Sequence, residues 1–172
     1  MRKTDPIKQQ ERRRHILEAA AHCFAEHGFH ATSTAQICAR AAMSPGNLFH
    51  YYASKADIIE ALVASDTDDI RSRMQAASAA PDACRALREW VDGQLALYQD
   101  PAFVRLGMEV LAEAVRNPRV HTLVMANEGE RKTGLLTLLE AVWMGQAAPQ
   151  PLAAMADVLL LCLLYTSPSP RD

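Results

Sequence analysis

Along most of the chain, apolar residues recur three and four positions apart, the spacing of one face of a helix. Ile16, Ala20, Cys23, Phe24 and His27 fall on one stripe, which predicts a first helix over about 9–27 that Gly28 brings to a stop. Ser33 followed by Gln36 has the form of a capping box, so a second helix starts there, with Ile37 and Ala41 inward, and ends near Ala41. Ala42 and Met43 turn the chain. Ser44 then caps a third helix with Pro45 at its first position, where the missing N–H costs nothing, and this helix lasts only to about Tyr52. Ser54, with Asp57 three residues on, opens a fourth that runs to about Ala77, with Ile59, Leu62, Val63, Ile70 and Met74 inward. SAAPD breaks it. A fifth helix from Asp82 to Tyr98 gathers Leu87, Trp90, Val91 and Tyr98 on one side. Asp100-Pro101 opens a sixth, carrying Phe103, Leu106, Val110, Leu111 and Ala114 on one face. Asn117-Pro118 opens a seventh, expected to reach Trp143 and to stop by Gly145; a loop with Pro149 and Pro151 leads to an eighth from Leu152. The pattern predicts an all-α fold.

Composition agrees. The 172 residues are 49% apolar and 22% charged, with 7 glycines, which suits a helical protein with a proper core. No window approaches the run of about 18 apolar residues that a membrane span needs, and the N-terminus has no signal-peptide core, so a cytoplasmic protein is expected. Cys23, Cys38, Cys84 and Cys162 are widely spaced, which argues for reduced, small core residues rather than a disulfide framework. His22, Cys23, His27 and His30 match no common zinc spacing and read as helix-face and turn residues; no metal or cofactor is expected. The charge is unevenly distributed. Residues 1–55 carry eight Lys/Arg against four Asp/Glu, and the rest carries ten against sixteen, so a net charge of −2 divides into +4 and −6. A basic head on an acidic body points to a head that meets a polyanion. Arg12, Arg13 and Arg14 lie near the start of the first helix, where cations oppose the helix dipole and an outside partner is called for.

Two short helices joined by a tight turn form a helix-turn-helix unit, whose second helix enters the DNA major groove. SPGNLFHYYASK supplies that helix. Ser44, Pro45 and Gly46 are small, so backbone can approach phosphates and base edges. Asn47 can pair with a base edge, adenine being the usual partner of an amide. His50 and Tyr51 offer donors to bases or phosphates, Leu48 and Tyr52 anchor the helix in its own core, and Lys55 can neutralise a phosphate. Arg14, Ser33 and Thr34 complete the set expected at the DNA. Taken singly, each of these residues fits a capped helical connector; caps, spacing and basic flank together favour DNA.

The run ILEAAAHCFAEHGFHATSTAQICARAAMSPGNLFHYYASKADII, from Ile16 to Ile59, resembles the N-terminal domain of TetR-type (TetR/AcrR) bacterial transcriptional regulators. The Phe24/Gly28 spacing, the Thr-Ser-Thr run and the closing Ser-Lys carry the match. Two residues depart from it: the usual turn glycine is Ala42, which costs about 1–2 kcal/mol if left-handed, and the usual phosphate-contacting tyrosine is Phe49, which lacks the hydroxyl. The resemblance implies a head at 1–54 and a helical effector-binding and dimerisation domain at 55–164. It also implies an effector pocket in the body, with Trp90, Tyr98, Phe103, Met108, Leu111 and Met125 as candidate lining. Apolar side chains at helical spacing are more often plain core. Glu109 and Glu113, one turn apart, are expected to be solvated, with orientation of a cationic ligand as the alternative. Leu152, Met155, Leu159, Leu160 and Leu163, with Ala156, form a stripe wide enough to need a partner and would resemble half of the dimer surface. Residues 165–172 change character: LLYTSPSPRD resembles the translated adapter tails of truncated reading frames, and the natural C-terminal helix is expected to be missing.

These expectations combine into a homodimeric repressor that binds a pseudo-palindromic DNA operator and is released by a small-molecule effector. An enzyme is the rival of another class, but the sequence has no nucleophile–base pair, Glu-x-x-His ligands or phosphate loop. A helical module whose basic head meets an acidic protein is the other, and base-sequence preference separates it from a repressor.

Overall fold

The computed structural model describes residues 5–144 and 151–165, and among these described residues there are eight helices: α1 (Pro6–Ala31), α2 (Thr34–Arg40), α3 (Pro45–Tyr51), α4 (Lys55–Ser78), α5 (Ala83–Gln99), α6 (Pro101–Ala114), α7 (Pro118–Val142) and α8 (Leu152–Tyr165). There is no strand among the described residues. The predicted stops at Gly145 and in the Pro149 loop, and the tail at 166–172, lie outside the described residues.

Local chemistry starts the helices. Ser33 and Gln36 make the reciprocal capping box, with Ser33 N donating to Gln36 Oε1 at 2.7 Å and Gln36 N to Ser33 Oγ at 3.3 Å. Ser54 Oγ accepts from Asp57 N at 3.1 Å, Asp100 Oδ1 from Ala102 N at 2.8 Å, and Asn117 Oδ1 from Arg119 N at 3.0 Å. Each such cap satisfies a donor that the first turn leaves without a partner. α1 begins earlier than its stripe predicts because Asp5 caps it and Pro6 is its first residue. It also continues past Gly28, whose φ of 79° and ψ of 167° break the ladder before the chain completes one more turn.

Two apolar cores lie along the molecule. The first joins Ile16, Ala20, Cys23, Phe24 and Phe29 of α1 to Ile37 and Cys38 of α2, Leu48 of α3 and Ile58, Ile59 and Val63 of α4, and it reaches Ala114 and Val120 in α6 and α7. The second joins Ile70 and Met74 of α4 to Ala86, Leu135, Leu138, Leu139 and Ala156. α4 therefore belongs to both. Its packing on α7 is the most extensive helix pair, and it is tight enough that a Cβ on Gly134 would overlap the Met74 side chain. A polar network pins the same pair. Asn127, buried, donates to Val63 O and Asp66 Oδ2 at 3.2 Å each and accepts from the Thr67 hydroxyl. Arg131, with a side chain only 15% exposed, bridges Asp66 at 3.0 Å and Glu128 at 2.7 Å.

Candidate nucleic-acid interface

α1 and α2 form the seat on which α3 rests. Leu48 is fully buried and Tyr52 nearly so, and the Arg13 guanidinium lies over the Tyr52 ring, 5.3 Å from its centroid. Burial pushes the Tyr52 phenol above its ordinary pKa, against the opposing pull of Arg13. His15 Nε2 sits 3.1 Å from Ala41 O and ties α1 to the turn before α3. In that turn Ala42 is left-handed, with φ 50°, and Met43 N closes back on Cys38 O at 3.0 Å. Ser44 Oγ accepts from Asn47 N at 3.3 Å, and Pro45 opens α3.

This seat leaves one side of α3 to solvent. Pro45, Gly46, Asn47, Phe49 and His50 are exposed together, and nothing lies within 4 Å of the position a Cβ would take on Gly46. Ser44 is exposed too, but its hydroxyl is engaged as a cap, as is that of Ser33. Thr34 is half-buried, and Arg14 is exposed and loosely paired with Glu18 at 3.5 Å. Tyr51 is half-buried against the first core, with its ring edge-on to His50 at 5.3 Å.

Lys55 differs from its sequence reading. Its ammonium donates to Phe29 O at 2.6 Å, Thr32 O at 2.8 Å and His30 O at 3.3 Å, three acceptors for three donors. Those carbonyls belong to the turn after Gly28, so Lys55 closes the end of α1 instead of standing free for a phosphate. Glu109 also departs from the solvated role expected of it. Its Oε2 accepts from Phe29 N at 2.7 Å, while Arg105, one turn earlier on α6, donates from Nε to Ala25 O at 3.0 Å. Side chains of α4 and α6 thus hold both sides of the break in α1. The one sequence signal was an Arg and a Glu four apart on an otherwise apolar stretch, VRLGMEVL, and that does not name the partner.

In the body, Trp90 lines a groove of about 360 Å³ between α4 and α5, together with Ala77, Ala86, Gly93, Leu97, Arg73 and Glu89. Tyr98 and Phe103 meet edge to face at 5.7 Å, where α5 passes into α6. Burial raises the Tyr98 phenol's pKa, against the pull of nearby Arg131. Met108, Leu111 and Met125 are not gathered with them: all three are exposed. Met108 and Leu111 lie on the part of α6 that faces solvent, whereas Leu106, Val110 and Ala114 of the same helix meet the first core, and Met125 stands exposed on α7. The α8 stripe is also corrected. Leu152, Met155, Leu159 and Leu160 pack on the second core within the same chain, and Leu163 is buried, as is Ala156; Val158, Leu161 and Cys162 form the outward side. Cys84 is likewise exposed, unlike the buried Cys23 and Cys38.

An all-helical protein with a helix-turn-helix head and an exposed face on the second of those helices has the build of a DNA-binding transcription regulator. Comparison with known proteins agrees. Residues 16–62 match the family model described as bacterial regulatory proteins, tetR family. The chain is 31% identical over 159 residues to the HTH-type transcriptional regulator UidR of Escherichia coli, spanning 91% of this chain and 79% of that protein. It is 31% identical over 169 residues to the HTH-type transcriptional repressor Rv1474c of Mycobacterium tuberculosis, spanning 86% of this chain and 90% of that one. The solved structure of Salmonella enterica GusR superposes with a TM-score of 0.70 at 28% identity, covering 99% of this chain and 87% of that chain. The chain belongs to the tetR family of bacterial transcription regulators.

Proposed function

We propose that this regulator is a repressor that binds a pseudo-palindromic operator as a homodimer in the cytoplasm and leaves it when a small molecule occupies the body. Residues 1–54 serve as the reading head and residues 55–164 as the effector and dimerisation unit. Asn47 and His50, exposed on α3, read base edges, with Pro45 and Gly46 allowing close approach. Arg14, Thr34 and the Tyr51 hydroxyl meet the backbone, and Ser33 and Ser44 act by holding helix starts. Two heads related by a twofold axis would enter major grooves about 34–36 Å apart or a multiple of that. The outward side of α8, with Val158 and Leu161, is the face offered to a second copy. The groove at Trp90, extended toward Tyr98 and Phe103, is the effector site. Its lining combines apolar carbons with a few charged groups, the usual make-up of a small-molecule site.

The observation that carries ligand response is the grip of Arg105, Glu109 and Lys55 on the end of α1. A body that holds the head through directional hydrogen bonds passes a shift of α4 or α6 directly to α1, and a coupling of about 1–3 kcal/mol is the usual scale. The reading supports no enzymatic role. Fluorescence anisotropy on the upstream intergenic DNA, at two salt concentrations with scrambled competitor, tests it. Sequence-selective binding that weakens steeply with salt is expected. Binding indifferent to sequence overturns the operator reading.

A further inference from the structure

Phe49 is the one large apolar side chain left exposed on α3, at 47%. Its neighbours Leu48 and Tyr52 are in the first core, and Tyr51 packs against that core, whereas Phe49 is in neither group. At that exposure the fold gives the ring only part of the apolar burial a phenyl group can gain. The ring shares the outward side of α3 with Gly46, one turn earlier, around which the space is open.

We infer that Phe49 reads thymine: its ring packs on the C5-methyl group in the major groove and gives the half-site a thymine at that step. The inference rests on the reading that α3 enters the major groove. Its physical ground is exclusion. A phenyl ring has no donor or acceptor, so it cannot hold a phosphate oxygen or a polar base edge. The thymine methyl is the apolar group that the major groove displays, and Phe is among the residues suited to it. Asn47 and His50 on the same side carry hydrogen-bonding groups, so α3 divides its work: polar side chains read donors and acceptors while Phe49 reads a methyl.

The test uses the whole chain and duplexes it selects from a random pool. Thymines in the selected duplex are replaced, one symmetric pair at a time, by deoxyuridine, which removes the methyl and keeps the Watson–Crick pair. At one pair the wild type is expected to lose about four-fold in affinity per half-site, the worth of one buried methyl. Phe49→Ala should bind the thymine duplex more weakly and no longer distinguish thymine from uracil at that pair. Asn47→Ala should bind more weakly yet keep the thymine/uracil ratio. Wild-type binding that ignores deoxyuridine at every pair overturns the inference, and so does Phe49→Ala that retains the full ratio. A pool that yields no enriched sequence overturns the groove reading of α3 itself, and this inference with it. Phe49→Leu, which keeps an apolar side chain, should retain part of the ratio.

Discussion

Two residues have unusual backbone, Gly28 inside α1 and Ala42 in the turn after α2, and they have opposite consequences. At Gly28, φ 79° with ψ 167° lies in a region that only glycine adopts readily, and a Cβ there would also stand 3.1 Å from Glu109 Oε1. Gly28→Ala should therefore destabilise the protein by about 1–3 kcal/mol, read as a lower urea midpoint. At Ala42 the left-handed φ of 50° is paid by a side chain that packs nowhere, being exposed. Ala42→Gly should raise stability by roughly 0.5–1 kcal/mol after the added unfolded-chain entropy, and a melting temperature that falls would contradict the strain argument. Thiols offer a second test at this scale. Cys38 is buried, and burial raises its pKa, so less thiolate is present at neutral pH. In native alkylation followed by mass spectrometry, Cys84 should label rapidly, while Cys23 and Cys38 should label only on unfolding.

At the scale of the helices, α6 is the element whose role sequence conceals most. Its Arg105 and Glu109 engage backbone eighty positions away in the chain, at Ala25 and Phe29. Removing the acceptor with Glu109→Ala leaves a buried N–H without a partner, which should cost about 1–3 kcal/mol and uncouple effector from DNA affinity. Glu109→Gln, with an amide oxygen in place, should keep most of both. Amide exchange at Phe29 under the two substitutions measures it directly. The contrast with the helix starts is instructive. Ser33, Ser44, Ser54, Asp100 and Asn117 each act within three residues of themselves, so their caps were readable from adjacent letters. Lys55 and Glu109 act across folds of the chain, and no periodicity says which of two solvated-looking ions has a distant carbonyl or amide waiting. Helical spacing likewise put Leu111 on one face with Leu106, Val110 and Ala114 without saying that it stands at the edge the first core leaves uncovered. In α8 the stripe named from spacing is the one that packs inward, but spacing did not say that its partner is the second core of the same chain.

For the molecule as a whole, the proposed dimer rests on the face of α8 left outside. Val158 and Leu161 are both exposed, one turn apart, with Cys162 beside them. Leu161→Glu should shift the protein toward monomer in analytical ultracentrifugation and weaken operator binding at least ten-fold, since each head then binds its half-site alone. Alkylation of Cys162 that slows as protein concentration rises would report the same association, and rates independent of concentration would place the interface elsewhere.

Because α4 serves both cores, the place to exchange heads between relatives is not where the connecting turn invites a cut. A reading head severed at residue 54 leaves Ile16, Phe24 and Leu48 without Ile58, Ile59 and Val63 to cover them. A chimera joined after Val63 carries that cover along, and still meets Ala114 and Val120 of its host. Evolution faces the same restriction. If α3 reads the operator as proposed, new operators are reached by changing its outward side, whereas wholesale shuffling of heads demands a body whose α6 and α7 already fit.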